Sequence, residues 1–131
     1  QDGCEMVFYA IENAWDGEVF IPKIPSYKIT DVAIAIAPEL EQRVVGIRPG
    51  EKLHEEMITS SDSYNTVDLG KYYAILPQKS PYSQYSKDDY KKAFNAVNVA
   101  DSFSYNSGNN SEWESVESLR ELVKIHVDTN F

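Results

Sequence analysis

Apolar residues recur at helical spacing near both ends of the chain and alternate in short runs between them. Over Glu5 to Ala14 (EMVFYAIENA), Val7, Ile11 and Ala14 share one face with Phe8 beside them, which predicts a helix with a buried stripe. Asp16-Gly17 is a turn signal. In Glu18 to Lys23 (EVFIPK), Val19 and Ile21 alternate against Phe20, a short strand that Pro22 and Pro25 confine to a sheet edge or a strand end. Thr30 is placed to cap a helix from Asp31 to about Ala37, stopped by Pro38, with Ile29 and Ile34 as a hydrophobic staple. The run VAIAIA also fits a strand by its alternation. Thr30, the acid in the first turn and the alanines favour helix.

Further on, Arg43 to Ile47 (RVVGI) reads as a buried strand. Arg48-Pro49-Gly50-Glu51 reads as a turn into a helix on which Leu53 and Met57 lie one turn apart. Ser60 to Asn65 is polar and loop-like, and Lys71 to Pro77 (KYYAILP) predicts another strand. Tyr82, Tyr85 and Tyr90 sit among polar residues. Residues 81–110 are therefore expected to form an arm that leaves the core, includes a short helix through Phe94, and meets another subunit. Tyr105 to Glu112 (YNSGNNSE) is a loop by its Asn, Gly and Ser content. Ser115 caps a final helix with Val116, Leu119, Val123 and Val127 spaced as a buried stripe.

Composition bounds what such a chain does. Its 131 residues suit about one domain, and 42% apolar with 25% charged residues is ordinary for a globular protein. Acidic residues outnumber basic ones 21 to 12, for a net charge of -9. That excess argues against general nucleic-acid binding and against anionic membrane surfaces, both of which need clustered Lys and Arg. No run approaches the ~20 apolar residues of a membrane span. A single cysteine, Cys4, fits a reducing cytosol, and on a buried helix it reads as a small apolar filler. The opening at Gln1, within a helical run and without a signal-peptide pattern, raises the expectation of a fragment of something longer.

Most catalytic signatures are missing. Neither GxGxxG nor GxxxxGK[ST] occurs, and His54-Glu55-Glu56 is followed by Met57 and Ile58, so the second histidine of a zinc helix is absent. No metal site and no catalytic set is expected in this chain. The segment with chemical shape is Val44 to Met57 (VVGIRPGEKLHEEM), read as a strand end turning through Pro-Gly into a helix N-terminus, where α/β proteins collect ligands. Arg48 can grip a phosphate at two points, and Glu51 can accept from neighbouring hydroxyls. The pair therefore suits a ligand with an anionic part and a hydroxylated part. The plainer alternative is that Arg48 and Glu51 only cap and bridge the turn.

The blocks VFIPKIPSYKITDVA, VVGIRPGEKLHEEMI, YNTVDLGKYYAILP and FSYNSGNNSEWESVESLREL follow one another in an order that resembles the C-terminal part of the UDP-N-acetylglucosamine 4,6-dehydratases. These extended short-chain dehydrogenase/reductases, including 5-inverting members, serve bacterial capsule, O-antigen and flagellin-sugar synthesis. The resemblance covers nearly the whole chain and departs at Glu114 and Ser60. It implies an α/β fold: a small C-terminal substrate-binding domain with a C-terminal extension, the Rossmann domain itself being absent. Residues 1–80 would be the substrate-binding segment and 81–131 the arm and helix extension. In the family, NADP or NAD takes hydride from sugar C4, water leaves across C5 and C6, and hydride returns to C6.

The nicotinamide and acid/base residues belong to the missing half. The resemblance thus implies no cofactor bound by this chain and no activity of its own, although the parent is an enzyme. It assigns Arg48 to the UDP phosphates and Glu51 to the ribose. The implied partners are the UDP-sugar, the N-terminal Rossmann domain and further copies in a cytoplasmic homo-oligomer. Two other readings stand beside it: a self-standing interaction or oligomerisation module, and the equivalent part of a nucleotide-sugar epimerase or reductase.

Overall fold

A computed structural model describes residues 2–78 and 85–127. Tyr82 and the stretch around it lie outside the described residues. The chain forms two compact units, each built from two separate segments: Gln1–Lys23 with Glu56–Tyr105, and Ile24–Glu55 with Asn106–Phe131. These units cut across the division at residue 80 drawn from the sequence blocks.

The first unit holds helix α1 (Asp2–Asn13), strands β1 (Val19–Pro22), β2 (Glu56–Ile58), β3 (Thr66–Asp68) and β4 (Tyr72–Ile75), a 3-10 turn at Asp62–Asn65, helix α3 (Lys87–Phe94) and strand β5 (Val97–Asn98). A further short strand, β6 (Tyr105–Asn106), lies at the unit boundary. The main sheet runs β1-β4-β3-β5 with every pairing antiparallel. As Pro22 required, β1 is an edge strand.

Register explains why the strand residues alternate yet are apolar on both faces. Phe20 stands opposite Ala74, and Ala74 opposite Val67, so these three line one face. There Val67, Ala74, Leu76, Tyr90 and Ala96 make a core. On the other face Ile21, Ile58 and Tyr105 are buried, with Tyr73, Ile75 and Phe103 packed beside them.

Helix α3 ends at Phe94 as expected, but α1 departs from the sequence reading. In α1, Val7, Phe8 and Ile11 are exposed. The helix packs instead through Tyr9, whose ring meets Phe20 edge-on at 5.5 Å and Tyr72 at 4.7 Å. Cys4 is exposed, so it fills no core.

The arm expected over 81–110 is also corrected. From Tyr85 to Tyr105 the chain belongs to the first unit, and Tyr90 is fully buried there. Trp15 stands edge-on to Tyr85 at 5.0 Å and to Tyr90 at 5.2 Å, and Tyr90 lies 4.5 Å from Phe94. The Tyr85 hydroxyl donates to the Glu18 carboxylate, and burial together with that bond pushes its phenol pKa up. Tyrosines spaced among polar residues look like a contact surface in one dimension. In three dimensions Trp15 packs against Tyr85 and Tyr90, and Phe94 against Tyr90.

The second unit contains α2 (Ile29–Ile36) and α4 (Val116–His126). Helix α2 begins earlier than expected, with Lys28 as its cap residue and no side-chain cap bond. Thr30 thus lies inside the helix and not at its cap. The far end of α2 is closed across the unit: Arg120 of α4 donates from Nε to Ala35 O at 3.1 Å and from Nη2 to Ile34 O at 3.3 Å. A cation on the final carbonyls suits the negative end of the helix.

Helix α4 starts as the sequence predicts. Ser115 accepts from Ser118 N, and the Ser118 hydroxyl oxygen accepts from Ser115 N at 2.8 Å. Leu119 is buried, but Val127 is not. Ser115→Ala is expected to lower stability by about 1 kcal/mol in a denaturant titration. No loss would show that the cap contributes nothing.

Candidate functional site: the Arg48 to Glu51 turn

Segment 43–55 forms neither of its expected elements. Arg43 to Ile47 is irregular, and Val44 is 93% exposed where a buried strand was read. A strand needs a ladder partner. Among the described residues no strand pairs with it. After the turn, residues 51–55 are not helical, and the chain extends into β2. Leu53 and Met57 therefore share no helix face. The ligand-collecting geometry of a strand end facing a helix N-terminus is not what this site uses.

The turn itself is as read. Glu51 N donates to Arg48 O at 3.1 Å, and Gly50 has φ +87°, the left-handed position that a type II turn with proline at its second residue demands. A substituent at Gly50 would meet open space, so conformation and not crowding selects glycine there. The Glu51 carboxylate folds back and accepts from Arg48 N at 2.9 Å, while Arg48 Nε lies 3.9 Å from Glu51 Oε1. The turn thus brings Arg48 and Glu51 together. The bridging alternative weighed from the sequence is part of the arrangement. The Arg48 side chain is nevertheless 82% exposed and that of Glu51 49% exposed, which leaves the guanidinium face open to solvent. A fork of donors and an acceptor-only carboxylate are presented side by side on one exposed turn.

The segment that follows the turn is bonded to loop 106–110. Ser107 N donates to Glu55 O at 2.9 Å, Glu55 N donates to the Ser107 hydroxyl at 3.1 Å, and that hydroxyl lies 3.3 Å from His54 Nδ1. Gly108 lies under the His54 ring, where a Cβ would come within 3.0 Å of two ring atoms. The loop is braced by its own side chains: Asn106 Oδ1 accepts from Gly108 N at 2.9 Å and from Asn109 N at 3.1 Å. Asn110 Nδ2 reaches Ile24 O at 2.8 Å and Ser26 Oγ at 3.0 Å. The Asn, Ser and Gly content of YNSGNNSE was the available signal, but sequence gives no register between it and residues 54–55. Among the described residues no cluster of His, Cys, Asp and Glu is arranged to hold a metal, and no helix is long and apolar enough to cross a membrane.

These elements define a small α/β domain carrying an exposed Arg/Glu turn. The chain belongs to the polysaccharide biosynthesis protein family, which matches residues 1–77. It is 45% identical over 128 residues to the UDP-N-acetylglucosamine 4,6-dehydratase (inverting) of Campylobacter jejuni subsp. jejuni serotype O:2, covering 94% of this chain and 37% of that protein. A UDP-glucose 4-epimerase of Rickettsia felis is 31% identical over 93% of this chain and 36% of its own length. Among solved structures, Pen from Bacillus thuringiensis superposes with a TM-score of 0.68 at 26% identity, covering 93% of this chain and 35% of that one. The chain thus spans little more than a third of the length of the relatives it matches. In the dehydratases the matched region is a C-terminal part.

Proposed function

We propose that the chain is the UDP-binding C-terminal part of a UDP-N-acetylglucosamine 4,6-dehydratase in bacterial surface-polysaccharide synthesis. The observation that carries this reading is the identity to the Campylobacter jejuni enzyme over nearly the whole chain, together with an exposed turn that pairs Arg48 with Glu51. Arg48 grips the diphosphate and Glu51 accepts from the ribose hydroxyls. Residues 1–80 hold both proposed UDP contacts, and 81–131 contribute to each compact unit, through Tyr90 in the first and Ser107 in the second.

The reaction uses NAD or NADP held by an N-terminal Rossmann domain in the rest of a cytoplasmic enzyme. The residues described here do not fit that cofactor. Their four-stranded sheet is antiparallel, and the sequence has no glycine-rich loop to cradle a pyrophosphate. A homo-oligomer is part of the same reading. Tyr90, fully buried inside the first unit, contributes no contact to it.

Incubated alone with UDP-N-acetylglucosamine and NADP, the 131-residue chain is expected to form no 4-keto product, because it carries no dinucleotide loop and no acid/base set. Turnover by the chain alone would refute that assignment of labour. The full-length protein carrying this sequence is expected to accumulate the 4-keto-6-deoxy sugar nucleotide. The match to the Rickettsia felis epimerase supports a second reading, in which the product keeps its 6-hydroxyl and is inverted at C4. Mass and proton NMR of the product separate the two.

A further inference from the structure

We propose that Ser107 and Gly108 are positioning residues: they form a latch on His54-Glu55 that sets where the Arg48 to Glu51 turn stands. The proposal rests on the reading of that turn as the UDP contact. The turn sits in an exposed segment without helix or strand, so its own short bonds fix its shape but not its place. Its place must come from the flanks. Upstream, Gln42 Nε2 reaches Thr30 O at 3.4 Å, a weak tether. Downstream, Ser107 makes a two-way bond with the Glu55 backbone, and its hydroxyl lies beside the His54 ring.

Glu51 is three residues from His54, about 10 Å of chain at most. Displacing the backbone at residues 54–55 therefore displaces the turn a few residues before them. The latch is itself held firm. Asn106 closes the loop on Gly108 and Asn109, and Asn110 ties it to Ile24 and Ser26. Loop 106–110 thus clamps both ends of the segment 24–55 that carries the turn. Gly108 is selected by space: a Cβ there would stand 3.0 Å from two His54 ring atoms and 3.1 Å from Asn106 Oδ1, so these neighbours must give way.

The test uses the full-length protein with UDP as the probe, read as an inhibition constant, as a binding isotherm, and by amide hydrogen exchange over residues 43–55. Ser107→Ala is expected to weaken UDP about threefold to tenfold, to raise KM in parallel, to leave kcat nearly unchanged, and to speed exchange at Glu55, whose amide donates to the Ser107 hydroxyl. Ser107→Thr keeps the oxygen and should restore most of the affinity.

Gly108→Ala is expected to weaken UDP by a similar factor, but only while His54 is present. In a His54→Ala background the same substitution should cost clearly less, because the ring is gone and only the contact with Asn106 Oδ1 at 3.1 Å remains. An equal cost in both backgrounds, or unchanged affinity and exchange in Ser107→Ala and Gly108→Ala, overturns the latch. If the wild-type protein does not bind UDP, the reading of the turn falls. Exchange over 43–55 then still decides the latch, since its bonds to residues 54–55 do not involve the ligand.

Discussion

Replacing Arg48 with alanine in the full-length protein is expected to weaken UDP binding about tenfold to a hundredfold while kcat stays nearly unchanged. The guanidinium is a planar fork of donors suited to two phosphate oxygens, and it is exposed, so reaching a ligand costs it little desolvation. Such a grip holds substrate and transition state alike, which is why the effect falls on KM and on UDP inhibition together. Arg48→Lys keeps the charge, loses the fork and should recover only part of the affinity.

Glu51→Gln is a milder probe. It keeps an acceptor for the Arg48 amide, which the carboxylate now serves at 2.9 Å, but removes the charge that favours paired hydroxyls. Steady-state kinetics with UDP as inhibitor are the measurement. A collapse of kcat with an unchanged UDP inhibition constant would place these residues in folding or at the chemistry, and the UDP assignment would be wrong.

The second large effect lies in the core of the first unit. Tyr90 is fully buried, and its hydroxyl has no hydrogen-bond partner among the described residues. Burial pushes that phenol's pKa well up, so it stays neutral across the working pH range. The ring contributes packing against Trp15, Tyr85 and Phe94, while the oxygen carries an unrelieved desolvation cost. Two substitutions separate the contributions. Tyr90→Ala removes the ring and is expected to cost about 3–5 kcal/mol of stability. Tyr90→Phe keeps the ring, drops the unpaired oxygen, and should leave stability unchanged or raise it by up to about 1 kcal/mol. Equilibrium denaturation of the purified protein reads both. A loss of more than about 1 kcal/mol in Tyr90→Phe would mean that the hydroxyl is satisfied after all.

Local patterns were legible where local physics decides. Gly50 after Pro49 specifies the Arg48 to Glu51 turn, Ser115 and Ser118 specify the start of α4, and Pro22 marks β1 as an edge strand. Each depends on a dihedral preference or a bond within a few residues, and so is written in the sequence itself. The α/β class was legible for a related reason, since the RPGEKLHEEM block is contiguous and resembles one family.

Only tertiary structure decided the rest. RVVGI has the composition of a buried strand, yet Val44 and Val45 are exposed because no described strand pairs with them. Leu53 and Met57 have helical spacing, yet the chain there is extended because Ser107 bonds both backbone groups of Glu55, a partner 52 residues away. Tyr85 and Tyr90 carry no local sign of burial; Trp15, some seventy residues earlier, supplies the ring that covers them. Hydrophobic pattern tells which residues gain by leaving water. It does not name the surface that receives them, because that surface is assembled from distant segments whose register no local preference encodes.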